Sequence, residues 1–503
     1  MSYPKYILLR KIPFPVFYLC FILCVLEGHS QTQYEWTWVN GNTTASWGIK
    51  GLASATNQPS PRSIYGCCKD YNGIIWVFGG KGNDVNNSFG NLGDLWKYDP
   101  KSNLWTWVSG SKDRTDDIIS AYGTKGSASA ENYPCCRYES ALWADSKGNI
   151  WLFGGYGYDA KGNFGDLNDL WKYDPANDEW TWMNGSNICN NQTSTTAANG
   201  IESAYNQPYG LDRSDYGWAT YWSSNSNMLS PQPGSTDYLW FLATYGPELW
   251  RYNTATNNWT FFGRGNYTGI YGTQGIPAPA NAPGIRELAA CATDNSGNLW
   301  LFGGFGHGTD ASSSGLLNDL WKYNVTTDRW TYVNGSTTTE QLPIYGIQGY
   351  PAANNHPGAR SSATICFDAN GNLWLYGGSG VDAVANSGGE NDLWKFDTST
   401  KQWSWIADSK TSGQATVYGT EGVSSSDNHP GAGSNAGFSW YDNTSDSLWL
   451  FAPRSSNEVW GFTTGSVVPL NFLAFDAVQN NRSVILSWTT NLVVQDKITD
   501  LLF

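Results

Sequence analysis

Charged residues, basic stretches and helix signals are all scarce in this chain of 503 residues. Charged side chains make up 14% of the sequence, which is too few for the exposed faces of many surface helices. Lysine and arginine total 29 against 43 acidic residues, and no basic stripe alternates with aromatic residues. The net charge of −14 disfavours binding to polyanions, so we expect no nucleic-acid partner.

Histidine and the common catalytic motifs are also scarce. The chain has four histidines and contains no Gly-x-Ser-x-Gly, no His-Glu-x-x-His and no phosphate-binding loop. His356 and His429 both lie in Asn-His-Pro-Gly, which favours turn structure over metal ligation. We therefore assign no catalytic residue, no metal ligand and no cofactor. A pair of glycosidase carboxylates stays open, because a sequence does not give their separation.

Of the nine cysteines, Cys20 and Cys24 belong to an apolar N-terminal segment, and the other seven fit no metal motif. Four of these follow an aligned arginine by five or six residues, a position that predicts small apolar side chains on an inner strand: Cys67, Cys68, Cys291 and Cys366. The remaining three fall in connecting segments, where the pattern allows one disulfide: Cys135, Cys136 and Cys189.

Tryptophan and glycine are abundant, with 28 and 56 copies, and this composition is typical of many short strands joined by tight turns. An apolar run that contains tryptophan recurs six times, at Trp76, Trp151, Trp240, Trp300, Trp374 and Trp449. The first five copies end in a further tryptophan element that the sixth lacks. Because Tyr34 to Trp38 supplies a matching segment ahead of the first copy, we expect the copies to form a closed ring.

Each copy reads as four antiparallel strands, named a to d. In the first copy, Ser63 to Lys69 is strand a, the turn Asp70 to Gly73 follows, and Ile74 to Phe78 is strand b. Aspartate accepts backbone N–H groups at such a turn, and glycine supplies a positive φ. Leu95 to Trp107 supplies strands c and d. Four strands per unit predict an all-β fold, a six-bladed β-propeller over residues 31–465 that the N-terminal strand closes.

The copies resemble kelch repeats, in which an apolar strand ends in Gly-Gly and a tyrosine and a tryptophan follow. Four copies carry the double glycine, at Gly79-Gly80, Gly154-Gly155, Gly303-Gly304 and Gly377-Gly378. The third and sixth copies have Ala243-Thr244 and Ala452-Pro453 instead. The resemblance implies a propeller closed by a terminal strand. It extends to galactose-oxidase-like proteins, whose copper site needs two histidines, two tyrosines and a cross-linked cysteine, a set that the separate histidines of this chain do not match.

The N-terminal segment differs from the repeats. Residues 1–30 carry Lys5, Arg10 and Lys11, then an apolar run from Phe14 to Leu26 and then small residues, which is typical of a secretory signal peptide. This run of 13 residues is short of the roughly 20 needed to span a bilayer. We therefore predict a secreted or cell-surface protein with no membrane span after signal cleavage.

The C-terminal segment, residues 466–503, also differs from the repeats and reads as two β-strands joined by a polar turn. Val468 to Ala477 and Asn480 to Thr490 resemble the opening of the immunoglobulin-like module that precedes the sorting domain of type IX secretion cargo. The segment is much shorter than an immunoglobulin sandwich of about 100 residues. We therefore predict a partial immunoglobulin-like segment or a tail.

Strand order predicts one functional face. In a four-stranded blade, the b–c loops and the d–a connections share one side of the disc, opposite the a–b and c–d turns. The predicted b–c loops are long and rich in glycine, asparagine and aspartate: Lys81 to Gly93, Tyr156 to Asn168 and Phe305 to Asn318. Long loops on a rigid scaffold usually carry binding function.

Two repeated sets of side chains and one histidine are the candidate ligand contacts of this face. They are the arginines that begin strand a, the tyrosines of a Tyr-Gly-x-x-Gly element in the d–a connections, and one b–c loop histidine: Arg62, Arg137, Arg213, Arg286, Arg360, Tyr122, Tyr271, Tyr345, Tyr418 and His307. The tyrosines either stack on sugar rings or pack each connection onto a neighbouring blade. The arginines either pair with the acidic residue that begins strand c or form a free ring for an acidic ligand. Repetition in five units favours packing and pairing, because a single ligand rarely needs five identical contacts.

These patterns favour a binding protein over an enzyme. We expect a secreted or cell-surface propeller that recognises a protein or glycan ligand through the long-loop face. The alternative is a carbohydrate-active enzyme, an oxidase, lyase or hydrolase, on the same face. A third reading is a structural module of a larger exported protein.

Overall fold

The computed structural model describes residues 4–10, 31–41, 45–114, 119–190, 202–203, 238–242, 249–262, 266–468, 472–480 and 483–490. Its contacts divide the chain into two compact units, Glu35–Thr463 and Met1–Tyr34 with Thr464–Phe503. The first unit is the six-bladed β-propeller of antiparallel blades that the tryptophan repeat predicts. No helix within the described ranges is long and apolar enough to cross a membrane.

Blades 1, 2, 4 and 5 are built alike, with strand a in two short pieces followed by strands b, c and d in sheet order. Blade 1 contains Arg62–Ser63, Gly66–Lys69, Ile75–Asn83, Phe89–Asp99 and Leu104–Ser109. Blade 2 contains Arg137–Tyr138, Ala141–Ala144, Ile150–Tyr158, Phe164–Asp174 and Glu179–Asn184. Blade 4 contains Arg286–Glu287, Ala290–Thr293, Leu299–Gly306, Gly315–Asn324 and Arg329–Asn334. Blade 5 contains Arg360–Ser361, Thr364–Phe367, Leu373–Val381, Ser387–Asp397 and Gln402–Ala407.

Blades 3 and 6 differ from this plan. Blade 3 has strands b, c and d at Tyr238–Leu242, Leu249–Asn253 and Asn258–Phe261, and its d strand also pairs with Glu202–Ser203. The residues predicted for its strand a, Arg213 among them, lie outside the described ranges. Blade 6 has strands a, b and c at Phe438–Asp442, Ser447–Phe451 and Val459–Val468, with one turn of 3₁₀ helix at Pro453–Ser455.

The N-terminal strand closes the ring, as predicted. Gln31–Asn40 pairs with strand c of blade 6 and takes the place of strand d. Within this strand, Trp36 Nε1 donates to Asp408 Oδ2 of blade 5 at 2.8 Å. Asn428 Nδ2, in the connection into blade 6, donates to the Trp36 carbonyl at 3.1 Å. The closing strand is therefore hydrogen-bonded to blade 5 and to the connection that enters blade 6.

Strand a is interrupted in four blades by one residue in the left-handed region, at Ile64, Glu139, Leu288 and Ser362, with φ of 55°, 60°, 53° and 55°. The exposed backbone groups of these bulges bond from blade to blade. Glu139 N–H donates to the Ile64 carbonyl at 2.8 Å, and Ser362 N–H donates to the Leu288 carbonyl at 2.7 Å. The inner strands of blades 1 and 2, and those of blades 4 and 5, are thus joined to each other as well as within their own sheets.

The hydrophobic core lies between adjacent blades. Trp76 of blade 1 lies 6.3 Å from Tyr173 of blade 2, and Phe78 lies 5.9 Å from Trp180. The same arrangement packs blade 4 against blade 5, where Phe302 lies 5.8 Å from Trp403. Each blade therefore buries its apolar faces on its neighbours, and their packing stabilises it.

All seven described cysteines are free and buried. Four of them lie on strand a, where the sequence predicts them: Cys67, Cys68, Cys291 and Cys366. Cys135, Cys136 and Cys189 form no disulfide, so the bridge that the pattern allows is absent from the described ranges.

The structure corrects the predicted b–c loops, because strands b and c continue through most of them. Within Lys81 to Gly93, only residues 84–88 turn between the strands. Tyr156 to Asn168 and Phe305 to Asn318 also form ladders, with turns at 159–163 and 307–314. Glycine marks close backbone packing in this segment, since a Cβ on Gly82 would lie 2.6 Å from the Pro61 carbonyl oxygen. The b–c segments are therefore rigid hairpins with short tips.

The second unit contains three antiparallel strands in the order Pro4–Arg10, Ser483–Thr490, Phe472–Asn480. The last two are the strand pair predicted for the C-terminal segment. In the first pair, Pro4 lies opposite Thr489 and Arg10 opposite Ser483. Residues 11–30 of the predicted signal peptide lie outside the described ranges, and cleavage stays a prediction.

Candidate binding face

Each described arginine at the start of strand a forms a bidentate pair with the aspartate that precedes the Leu-Trp of its own strand c. The pairs are Arg62–Asp94, Arg137–Asp169, Arg286–Asp319 and Arg360–Asp392, with closest N···O distances of 2.7, 2.6, 2.5 and 2.5 Å. Their side chains are at most 2% exposed. The pairing that the repetition favours is therefore present in four blades. We call the side of the propeller with these pairs, the b–c hairpins and the d–a connections the arginine face.

The same aspartates accept two further hydrogen bonds. In blade 4, Tyr271 Oη and Trp321 Nε1 donate to Asp319 Oδ2 at 2.8 and 2.7 Å. Tyr122 and Tyr345 donate in the same way to their blade's aspartate. Burial and the adjacent carboxylate raise the pKa of Tyr271 well above its usual range, so the hydroxyl stays protonated as a donor. These buried networks join strands a and c of a blade to the connection that enters it. All four described arginines are paired, so they do not form a free circle of positive charges for an acidic ligand.

Blade 6 keeps the network but takes its arginine from the 3₁₀ turn between strands b and c. Gly433 stands at the position of the missing arginine, and a Cβ there would lie 2.7 Å from the Cβ of Arg454. Arg454, just after strand b, has its Nη2 3.6 Å from Glu458 Oε1. Tyr418 and Trp460 donate to the same carboxylate at 2.5 and 3.0 Å. The sequence repeat does not identify Arg454, because this arginine follows strand b instead of beginning strand a. The one sequence feature that indicates it is an arginine directly after Ala452-Pro453.

The d–a connections lie along the outer edge of the blade they enter, which confirms the packing interpretation of their tyrosines. In the connection into blade 2, Gly126 N–H donates to the Trp182 carbonyl at 2.8 Å. Asn132 Nδ2 donates to the Trp180 carbonyl at 3.0 Å, and the Tyr122 ring lies 5.0 Å from that of Trp182. The aromatic residue of each such element therefore packs its connection onto the blade.

The tips of the b–c hairpins expose aromatic rings on the arginine face. Phe89 of blade 1 and Phe164 of blade 2 are 69% and 41% exposed. Phe164 lies 4.6 Å from both Tyr156 and Tyr158. Exposed rings on a rigid hairpin offer contact area at little conformational cost.

A cleft of about 460 Å³ opens on the arginine face of blade 1. Its side chains come from the entering connection, the b–c hairpin and the segment after strand d: Ser46, Trp47, Ser60, Asn83, Asp84, Asn87 and Lys112. This volume is within the range of small-molecule sites. The arginine face thus carries a concave site as well as exposed rings.

No family model matches this sequence. No curated protein matches it either. Among solved structures, the propeller is similar to the structure of YjhT, with 14% identity and a TM-score of 0.37 over 69% of this chain and 85% of that one.

The three described histidines lie on segments of different blades. His307 Nδ1 lies 3.0 Å from the Ser313 carbonyl in the b–c turn of blade 4, and its ring lies 4.4 Å from that of Tyr267. His356 Nδ1 lies 3.3 Å from Asn318 Nδ2, in the connection into blade 5. His429 lies in the connection into blade 6, where its backbone pairs with Val417. Within the described ranges, no three histidine, cysteine or carboxylate side chains are grouped as metal ligands.

We expect the purified chain to show no copper-dependent oxidation of alcohols or sugars, because its three described histidines do not converge as the nitrogen donors of a tetragonal copper site would. Metal analysis after copper loading should find no stoichiometric copper. A peroxide-release assay with galactose, glucose and simple alcohols should stay at background. Bound copper together with peroxide would instead favour the carbohydrate-active enzyme.

A buried glutamate in blade 5 is a second feature that sequence analysis missed. Glu390 lies opposite Gly378, at a position that other blades fill with a buried leucine: Leu92, Leu167 and Leu317. It is 1% exposed, and neither carboxyl oxygen has a hydrogen-bond partner among the described residues. Burial raises the pKa of Glu390 to about 8. The positive charge of Arg360 opposes this rise, and the negative charge of Asp392 adds to it. The carboxyl group is therefore mostly neutral at pH 7.

Proposed function

We propose that this protein is an exported, non-catalytic binding propeller of the kelch type, which recognises a protein or glycan ligand through its arginine face. The observation that carries the proposal is the cleft in blade 1, which lies on the face that also exposes Phe89 and Phe164. Concave sites with a few polar groups are the usual seats of ligands. Localisation in the secretory route or at the cell surface rests on the predicted signal peptide.

The rigidity of the scaffold supports a binding role. The buried arginine–aspartate pairs fix strands a and c of the same blade, and the bulge hydrogen bonds join neighbouring inner strands. A ligand that meets preformed hairpins pays little ordering entropy. The arginines and tyrosines that recur in each blade would then set the geometry of the face, and residues that differ between blades would contact the ligand.

The proposal is tested by probing glycan and protein arrays with the labelled chain lacking residues 1–30. We expect selective binding that a Phe89→Ala and Phe164→Ala double variant weakens, because both rings are exposed on the hairpin tips. A variant on the opposite face, Asn177→Ala in the exposed c–d turn of blade 2, serves as the control and should bind normally. Absence of selective binding on both arrays would contradict the binding role, and turnover of a glycan would promote the enzyme alternative.

A further inference from the structure

Two cysteines of blade 2 share one buried cluster. Cys135, in the connection that enters the blade, and Cys189, in the segment after strand d, form this cluster with Leu167, and Tyr158 packs on it. Both cysteines are at most 7% exposed, and both are thiols in this structure. The chain between them contains every described strand of the blade. A bond between the two thiols would therefore join the start of the blade to its end.

The two cysteines depart from the repeat together. The counterpart of Cys135 is counted from the aligned arginine, and that of Cys189 from the second aromatic residue of strand d. Neither position is a cysteine in blades 1, 4 and 5, where the pairs of counterparts are Ser60 and Arg114, Gly284 and Thr339, and Gly358 and Ser412. Two cysteines that occur in the same blade, at two positions that meet in one cluster, indicate a pair and not two separate apolar residues.

The segments that carry the two thiols meet at one pair of glycines on the b–c hairpin. Gly157 of strand b lies opposite Gly165 of strand c. A Cβ on Gly157 would lie 2.8 Å from Cys135 Sγ, and a Cβ on Gly165 would lie 2.5 Å from the side chain of Asn190, the residue after Cys189. Opposite residues of an antiparallel pair have Cα atoms about 4.5–5.5 Å apart. The two segments therefore lie side by side across the hairpin, within reach of a disulfide, whose Cα atoms are about 4.4–6.8 Å apart.

Cys136, the third cysteine of the connecting segments, turns the other way. Its Sγ donates to the Arg114 carbonyl of blade 1 at 3.4 Å, and a Cβ on Gly93 of that blade would lie 3.2 Å from it. Of two adjacent cysteines, Cys135 thus faces its own blade and Cys136 faces the neighbouring one. The structure distinguishes two thiols that the sequence pattern leaves equivalent.

We propose that Cys135 and Cys189 form a disulfide in the exported protein, which ties the connection that enters blade 2 to the segment that leaves it. A disulfide oxidant such as oxidised glutathione takes two electrons and two protons from the two thiols, is itself reduced to two thiols, and leaves the S–S bond. The inference rests on the proposed function only for the oxidising compartment, because disulfides persist outside the cytosol. The bond would also restrain the hairpin that exposes Phe164.

The bond has to form while the chain folds. Burial and the negative charge of Asp159 raise the pKa of Cys189 to about 11, so the folded protein holds little of the thiolate that exchanges with a disulfide. Cys135 is fully buried. An oxidant added to the folded thiol form is therefore a poor test, and the experiment starts from the unfolded chain.

Peptide mapping after oxidative refolding tests the proposal. The full chain is reduced in denaturant, refolded with reduced and oxidised glutathione, alkylated and digested with trypsin. We expect mass spectrometry to find residues 126–137 linked to residues 173–213 by a disulfide. Cys135 and Cys136 fall in the same peptide, so the matched control Cys136→Ser should keep the linked pair, whereas Cys135→Ser and Cys189→Ser should each lose it.

Melting temperature gives a second readout, because a cross-link restricts the unfolded chain. The wild type and Cys136→Ser refolded in the glutathione buffer should melt roughly 2–5 °C above the same proteins refolded with dithiothreitol, and Cys135→Ser should show no such difference. A wild type with no linked peptides, or a bond that Cys136→Ser removes, overturns the disulfide. Either result leaves the binding role of the arginine face standing, because the oxidant is added in the experiment and ligand binding is measured separately on the arrays.

Discussion

Replacing Arg286 by alanine is expected to lower the free energy of unfolding of the propeller by about 3–5 kcal/mol, because it leaves the buried Asp319 carboxylate without its bidentate partner. Asp319 is fully buried and accepts two hydrogen bonds from Arg286, at 2.5 and 2.9 Å. The Tyr271 and Trp321 donors that would remain are neutral and cannot balance the charge. Urea denaturation followed by tryptophan fluorescence measures the loss.

Arg329→Ala provides a matched control for the Arg286 variant. Arg329 begins strand d of the same blade and donates to an exposed backbone carbonyl, so its loss should change stability by less than about 0.5 kcal/mol. An Arg286→Ala protein as stable as the wild type, with ligand binding abolished, would contradict the structural role. It would restore the idea of an arginine ring that contacts an acidic ligand.

The fold and the scaffold of the face could be predicted because they repeat. Each blade needs the same pairing and the same buried aromatic rings, so the tryptophan period and the missing final element of the sixth copy identify the ring and its closure. The arginine–aspartate pairing follows from the same logic, since residues that recur together in five of the six units serve the structure of the unit. Tyr34 to Trp38 was recognisable for this reason alone.

The b–c hairpins could not be predicted, because glycine has two opposite uses. Glycine-rich sequence between Lys81 and Gly93 is typical of a loop, yet Gly82 and its counterparts lie in a ladder where a neighbouring backbone leaves no room for a Cβ. Which use applies depends on a strand distant in sequence. Arg454 could not be predicted for the same reason, because the turn after strand b brings it beside Gly433, which is distant in sequence.

The candidate site lies where single positions leave the repeat, and a periodic pattern gives no information about such positions. Ser60 and Asn83 look ordinary in the sequence and are recognised as cleft residues only by comparison with Cys135 and Tyr158, their counterparts in a closed cluster of blade 2. Glu390 is hidden in the same way, since a glutamate on a strand reads as a solvent-facing residue. Comparison of equivalent positions between blades, in three dimensions, finds both.

Replacing Glu390 by leucine, the residue of blades 1, 2 and 4 at this position, is expected to stabilise the propeller by roughly 3–6 kcal/mol at pH 8. Burial raises the pKa of Glu390 from 4.5 to about 8, so the unfolded chain ionises before the folded one. The resulting loss in the free energy of unfolding is absent below about pH 4. It grows between pH 5 and pH 8 by about 1.4 kcal/mol per pH unit. The stability of the wild type should therefore fall across this window, and the fall should be smaller in the variant.

Urea denaturation of the wild type and of three variants between pH 5 and pH 8 decides whether the Glu390 carboxyl group causes the pH dependence. Glu390→Gln keeps a polar group without ionisation, so it should flatten the pH dependence and recover less stability than leucine. Glu131→Leu, at an exposed position of the connection into blade 2, should leave the wild-type pH dependence intact. A Glu390→Leu protein with the same pH dependence of stability as the wild type would contradict the assignment of this dependence to Glu390.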